Sequence, residues 1–157
     1  MATGILAGAV AGAAGTAALN AVTYADMAVR GRGGSDTPEQ SVEAMEERLP
    51  LSVPGEGRAR ENRVSALGSL SGIVTGVGIG VVFGVLRRAG LRPPAPVGAI
   101  LVGLTAMAST NASMASLGVS DPRDWSVSDW LSDLVPHLAY GTVTYGALAA
   151  LDQGRPD

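Results

Sequence analysis

Five glycines, Gly68, Gly72, Gly76, Gly80 and Gly84, recur at every fourth position, and the stretch around them from Val64 to Leu86 carries no charge. In a water-exposed helix each glycine costs about 1 kcal/mol relative to alanine, so a soluble helix of this kind would be very weak. A bilayer changes the balance. Backbone groups in hydrocarbon must satisfy one another, so the helix persists, and roughly 20 residues at about 1.5 Å each are enough to cross. Each glycine then becomes a place where a second backbone can come close, because residues four apart line one ridge of the helix. The stretch is predicted to be the central packing helix, a glycine zipper, of a multi-span integral membrane protein.

The remaining residues fit that solvent. Only 4% are aromatic, too few to fill a soluble core, while 22 are glycine. Mean hydropathy is a modest +0.27 because the charges are segregated into loops, leaving four long apolar runs. Net charge is −3, which argues against nucleic acid as a partner. There is no cysteine, which removes disulfides, thiol nucleophiles and thiolate metal sites. No basic residue precedes Arg30, so the amino-terminal run lacks the basic start of a signal peptide and reads as a first transmembrane helix.

The chain is expected to form a single membrane domain over residues 1–157, with spans at about 4–29, 64–86, 96–117 and 127–151 and a polar loop at 30–63. The first span has its own four-residue ridge. Gly4, Gly8 and Gly12 offer a packing face for the second span, and Thr16, Asn20 and Tyr24 continue it as a polar one. Asp26 reads either as a headgroup-level residue beside Tyr24 and Arg30 or as an intramembrane carboxylate of functional interest. In the polar loop, Thr37 is expected as N-cap with Pro38 in the first turn and Gln40 closing a capping box. Val42, Met45 and Leu49 then share one side and Glu39, Glu43, Glu46 and Glu47 the other. This short amphipathic surface helix is acidic, unlike an anionic-lipid anchor, so it is expected to cover the bundle or meet a partner. Residues 54–63 read as a charged linker.

The turn between the second and third spans holds Arg87, Arg88 and Arg92, followed by Pro93, Pro94 and Pro96. The second half of the third span is polar, and its Asn111 needs a partner, for which Asn20 is the obvious candidate. Ser126 with Asp129 forms a second capping box, with Trp125 and Trp130 placed as a hydrophobic staple or an interfacial aromatic belt. Pro136 should free the carbonyl of Ser132 and favour a kink in the fourth span. Beside it stands His137, the only histidine, with Asp133 four residues earlier and Tyr140 on the same face. A carboxylate one turn from an imidazole can orient its ring, so Asn20, Asp26, Asn111, Asp133, His137 and Tyr140 form a candidate polar path. A hydrogen-bonded strut is the alternative reading of His137. Counting arginines by side, Arg155 included, leans towards both termini outside, while the Arg87–Arg88 pair pulls the other way.

Catalytic motifs are missing. In Gly68-Ser69-Leu70-Ser71-Gly72 a nucleophile elbow would need serine at Leu70, and an intramembrane serine-protease motif would need glycine at Ser69. One histidine makes no multi-histidine metal site and no haem ligand pair. No catalytic residue, metal or other cofactor is expected.

The runs Gly12-Ala-Ala-Gly15-Thr16-Ala-Ala-Leu19-Asn20, Asp36-Thr37-Pro38-Glu39 and Pro136-His137-Leu138-Ala139-Tyr140-Gly141 together resemble a family of small, uncharacterised four-span bacterial membrane proteins. The His-Leu-x-Tyr-Gly ending is distantly similar to YagU-like inner-membrane proteins, which are associated with acid resistance; that similarity covers one short segment and transfers no residue role. The expectation is an all-α four-helix bundle in the bacterial cytoplasmic membrane, in contact with lipid and forming a homo-oligomer or joining other membrane subunits. Its function is read as non-enzymatic packing or accessory work, with a small channel or transporter near His137 as the alternative.

Overall fold

The computed structural model describes residues 2–50 and 52–153, so Arg155 of the charge comparison lies outside the described residues. The described chain is helical: α1 (Ala2–Arg30), α2 (Thr37–Arg48), α3 (Gly57–Arg88), α4 (Ala95–Leu117), a single 3-10 turn at Pro122–Asp124, and α5 (Val127–Gln153). Three helices, α1, α3 and α4, are long and apolar enough to cross a membrane. Only 11% of the most apolar window of α3 is buried inside the fold. Leu70, Ile73, Val74 and Val82 on α3, Ile5, Leu6 and Val10 on α1, and Ile100, Leu101 and Leu104 on α4 all point outward. An apolar surface on that scale needs a solvent other than water.

The 27-residue α5 falls outside the set of apolar spans, although a fourth crossing was expected over 127–151. The cause is visible in its inward face, where His137, Tyr140, Thr144 and Tyr145 are all buried. In space the long helices follow the order α3, α1, α5, α4, with α1 touching both α3 and α5. The helix that sits between α1 and α4 therefore carries the polar side chains. Val102 and Ala106 of α4 pack with Tyr140 and Tyr145 to form the core, and Leu19, Ile79, Phe83 and Ala99 close around them.

The glycines of α1 and α3 face each other. A Cβ added at Gly8 would stand 2.5 Å from the Gly80 carbonyl oxygen and 2.6 Å from the Cα of Val81. One at Gly12 would stand 2.6 Å from the Gly76 carbonyl oxygen, and one at Gly84 would be 2.8 Å from the Cα of Gly8. Gly4 approaches the Gly84 carbonyl and the side chain of Arg88. No side chain fits in these places. The lower ridge of α3 behaves differently: Gly68 abuts Pro38 of α2, and Gly72 has nothing within 4 Å. The five-glycine register thus serves α1 only from Gly76 onward, because α2 occupies the face beside Gly68.

Several boundaries differ from expectation. α3 begins at Gly57 rather than Val64, so most of the supposed linker is two helical turns. Those turns are held by α2, whose Glu43 and Glu46 accept from the Arg60 guanidinium at 3.2 and 2.6 Å. α2 is capped by Asp36, not Thr37, and makes no side-chain cap bond, so no box with Gln40 forms. The Thr37 hydroxyl pairs with that of Ser35 instead. α2 covers one end of the bundle, with Val42 buried beneath it, Glu39 accepting from the Ser65 hydroxyl at 2.8 Å and Arg48 donating to the Ser116 carbonyl at 2.7 Å. α4 stops at Gly118, whose φ of 74° only glycine adopts at no cost, and the Val119 amide returns to the Met114 carbonyl at 3.0 Å. At the head of α5 the Ser126 amide donates to Asp129 at 2.9 Å and the Asp129 amide donates to the Ser126 hydroxyl at 3.2 Å, while Trp125 and Trp130 meet edge to face at 5.2 Å. That box and that staple both form. α5 runs through Pro136 as one helix.

Candidate functional site

The polar residues named from sequence separate into three places. Asn111 of α4 donates through Nδ2 to Asp133 Oδ2 of α5 at 2.9 Å. Its partner is therefore Asp133 rather than Asn20, because α4 packs on α5 and α1 lies on the far side of α5. One turn on, His137 Nδ1 stands 2.8 Å from the Asp133 carbonyl oxygen and 3.2 Å from Asp133 Oδ1. Both are acceptors, so the geometry puts a proton on Nδ1 and leaves Nε2 as the nitrogen that titrates. Asn111 and His137 are buried, at 7% and 8% exposure. The side-chain Oδ1 of Asn111 is fully buried and, among the described residues, has no hydrogen-bond partner. Leaving a buried amide oxygen of that kind unpaired costs about 1–3 kcal/mol.

Tyr140 belongs to a second place. Its hydroxyl donates to the Gly76 carbonyl at 2.6 Å, in the seam where α5 meets the α1–α3 contact. Gly15 makes room for the Tyr140 ring, with an added Cβ falling 2.9 Å from its Cδ2, and Thr16 occupies the space over Gly76. Thr144, fully buried, abuts Gly15 as well. Here glycine makes room for side chains rather than for backbone.

Asp26 marks the third place, at the end of the bundle. Arg32 Nε donates to its Oδ2 at 2.6 Å and Arg30 reaches Oδ1 at 3.5 Å. The same Arg30 donates to the hydroxyls of Ser132 and Ser128 on α5 at 2.9 and 2.8 Å. Asp26 is thus a paired carboxylate where the helix meets its loop. Asn20 is partly buried and makes no side-chain hydrogen bond among the described residues. The six residues do not form one continuous path: only Asn111, Asp133 and His137 touch.

Sequence reasoning missed the contact that shapes this cluster. A Cβ at Gly103 would lie 2.6 Å from the His137 carbonyl oxygen, and one at Gly141 would lie 2.5 Å from the Gly103 amide nitrogen. Gly98 admits the ring of Tyr145, whose hydroxyl donates to the Pro93 carbonyl at 2.5 Å. Gly98 and Gly103 are five apart, which hides them from a search for four-residue ridges. The Ser128–Ser132 spacing of four was the available sign of a surface awaiting a guanidinium.

Two clefts open at the α2 end. One, of about 460 Å³, is lined by Glu43, Glu46, Glu47, Ser52 and Arg60. The other, of about 240 Å³, lies between α1 and α5 and is lined by Val22, Asp26, Arg30, Leu131, Ser132, Val135 and Pro136. Neither is lined by Asn111, Asp133 or His137. Among the described residues no three His, Asp or Glu side chains converge as a metal site. Compared with protein-family models, with curated proteins and with solved structures, the chain matches none.

Proposed function

We propose that the chain is a non-enzymatic, multi-pass protein of the bacterial cytoplasmic membrane that crosses the bilayer four times and works as a packing or accessory subunit, self-associating or joining a larger complex. The observation that carries this reading is the outward face of α4. Thr105, Ala108, Ser109, Ala112, Ser113 and Ser116 lie exposed on a helix apolar enough to span a membrane. Small hydroxylated faces in lipid favour close contact with another helix. Gly76, Gly80 and Gly84 are packed inside the chain, so Gly76→Leu should damage the fold before it damages an assembly.

The test is the mass of the complex released from native membranes in mild detergent. A mass above that of one chain, reduced by Ser109→Leu with Ala112→Leu, supports the reading; a monomer from the outset removes it. The Asn111–Asp133–His137 cluster favours a second reading, a small channel or transporter that handles a proton or ion. The acid-resistance association of YagU-like proteins gives a reason to assay it at low pH. Proteoliposome flux that changes with pH and is lost in His137→Ala would put this reading first, whereas an unchanged pH response in that variant would end it.

A further inference from the structure

The two ends of the bundle differ in their balance of arginines and carboxylates. At the α2 end seven arginines lie among twelve carboxylates. Arg30 and Arg32 engage Asp26, Arg60 engages Glu43 and Glu46, and Arg123 engages Asp121, while Arg48 and Arg63 donate to the Ser116 and Pro54 carbonyls amid the surplus of carboxylates. The opposite end gathers the start of α1, the α3–α4 turn and the end of α5. There Arg87 is held by Asp152 at 2.6 Å and lies over the Tyr145 ring at 5.1 Å from its centroid. Arg88 donates only to the Thr3 hydroxyl at 2.9 Å, its stem lying against Gly4. Arg92 reaches only the Arg87 carbonyl at 3.4 Å. Among the described residues neither has a carboxylate within ion-pair distance, and both are exposed.

Apolar residues surround the pair. Leu86 precedes it and Leu91 lies between its two members, while Ile5 and Leu6 of α1 and Val97 of α4 lie exposed at the same end. Two guanidiniums therefore stand where hydrocarbon gives way to headgroups, with stems in the apolar layer and heads in the polar one. Pro93 and Pro94 stiffen the turn beside Arg92. A guanidinium offers a planar fork of donors that matches phosphate oxygens, and an anionic headgroup in the membrane complements the charge of these two.

We infer that Arg88 and Arg92 bind the phosphate of an anionic phospholipid headgroup at this end of the bundle. The inference rests on the membrane reading and is independent of the accessory role. The carboxylates of the α2 end would repel the same headgroup, so the site is one-sided.

The test uses the full chain in neutral detergent, with lipid retention followed by native mass spectrometry and stability by thermal melting. The probes are dioleoylphosphatidylglycerol, dioleoylphosphatidylcholine and inorganic phosphate. Wild type should retain the glycerol lipid preferentially and melt higher with it. Arg88→Gln/Arg92→Gln should lose that preference by about 25-fold, roughly fivefold per guanidinium. Arg88→Lys/Arg92→Lys should keep most of it, which separates lost charge from lost fold. Arg58→Gln/Arg63→Gln at the other end should not change it. Equal retention of the two lipids by wild type, or an undiminished preference in the glutamine variant, overturns the inference. Stabilisation by inorganic phosphate equal to that by the glycerol lipid overturns the lipid assignment. Alkaline extraction of native membranes checks the premise separately. Release of the chain would defeat the membrane reading, whereas retention without lipid preference defeats this inference alone.

Discussion

The α1–α3 and α4–α5 contacts both depend on glycine, yet they are built differently. Between α1 and α3, Gly8 and Gly12 meet Gly76, Gly80 and Gly84 backbone to backbone, and the register repeats every four residues. Between α4 and α5, Gly98, Gly103 and Gly141 are irregularly spaced, and the gaps they leave admit the Tyr145 ring and the His137 carbonyl. The first contact is made mainly by backbone packed on backbone. The second adds a hydrogen bond from Asn111 to Asp133 and a buried imidazole. Close backbone approach can thus serve adhesion alone, or it can hold polar groups where water is scarce.

The strongest way to break the comparison is bulk in the α1–α3 seam. Gly80→Leu should cost more than about 3 kcal/mol, beyond the usual range for overpacking, because its Cβ meets backbone atoms that cannot rotate away. Gly72→Leu, with nothing within 4 Å, should leave stability unchanged. Reversible unfolding in mixed micelles compares the two, and equal losses would show that α1 and α3 do not meet as described.

Gly141→Ala tests the other contact. Its Cβ would press on the Gly103 backbone, so a loss of about 1–3 kcal/mol is expected, together with a changed histidine NMR signal, since Gly103 also abuts the His137 carbonyl. Gly80→Ala should lower stability without moving that signal. A histidine that ignores Gly141→Ala would separate the glycine contact from the polar cluster.

A smaller effect sharpens the polar half. Asn111→Ala and Asp133→Ala should each destabilise, and their double-mutant cycle should return a coupling of about 0.6 kcal/mol, the usual size for interhelical hydrogen bonds in membranes. A coupling near zero would make the 2.9 Å contact energetically idle.

The smallest expected effect lies outside both seams. In the α4–α5 loop the Arg123 side chain and amide both donate to Asp121, holding its carboxyl down to about 2 from the ordinary 3.8. A depressed carboxyl contributes stability above its ordinary value and loses it as pH falls through the depressed one. The carboxyl carbon of Asp121 should therefore titrate near pH 2, and in Arg123→Gln it should return towards 3.8 with both glycine seams intact. An unchanged titration in that variant would show the loop pair to be absent in solution.

Local features carried far in the sequence. Helix number, the apolar character of α1, α3 and α4, the Ser126–Asp129 box, the tryptophan staple and the proximity of Asp133 to His137 all follow from spacings within one or two turns. The facing of Gly8 and Gly12 towards the α3 glycines was legible too, because both ridges share a period of four. Partnerships between helices were not. In sequence Asn20 is the obvious partner for Asn111, both being amides within spans; only the helix order, with α5 between α1 and α4, decides for Asp133. The Thr37 cap failed because Ser35 competes for that hydroxyl. The linker at 57–63 is helical because α2 supplies carboxylates to Arg60, a contact with no trace in local propensity.

By itself the sequence determined where helices form and which solvent suits their outer faces, since backbone hydrogen bonding and hydropathy act over one or a few turns. Tertiary structure alone decided which glycines touch backbone, which admit a ring and which stay open. It also decided which arginines pair with a carboxylate, and it set Arg88 and Arg92 at the end of the bundle where carboxylates are scarce among the described residues. Those outcomes depend on the relative placement of four long helices at once, and no single helix carries that information in its own period.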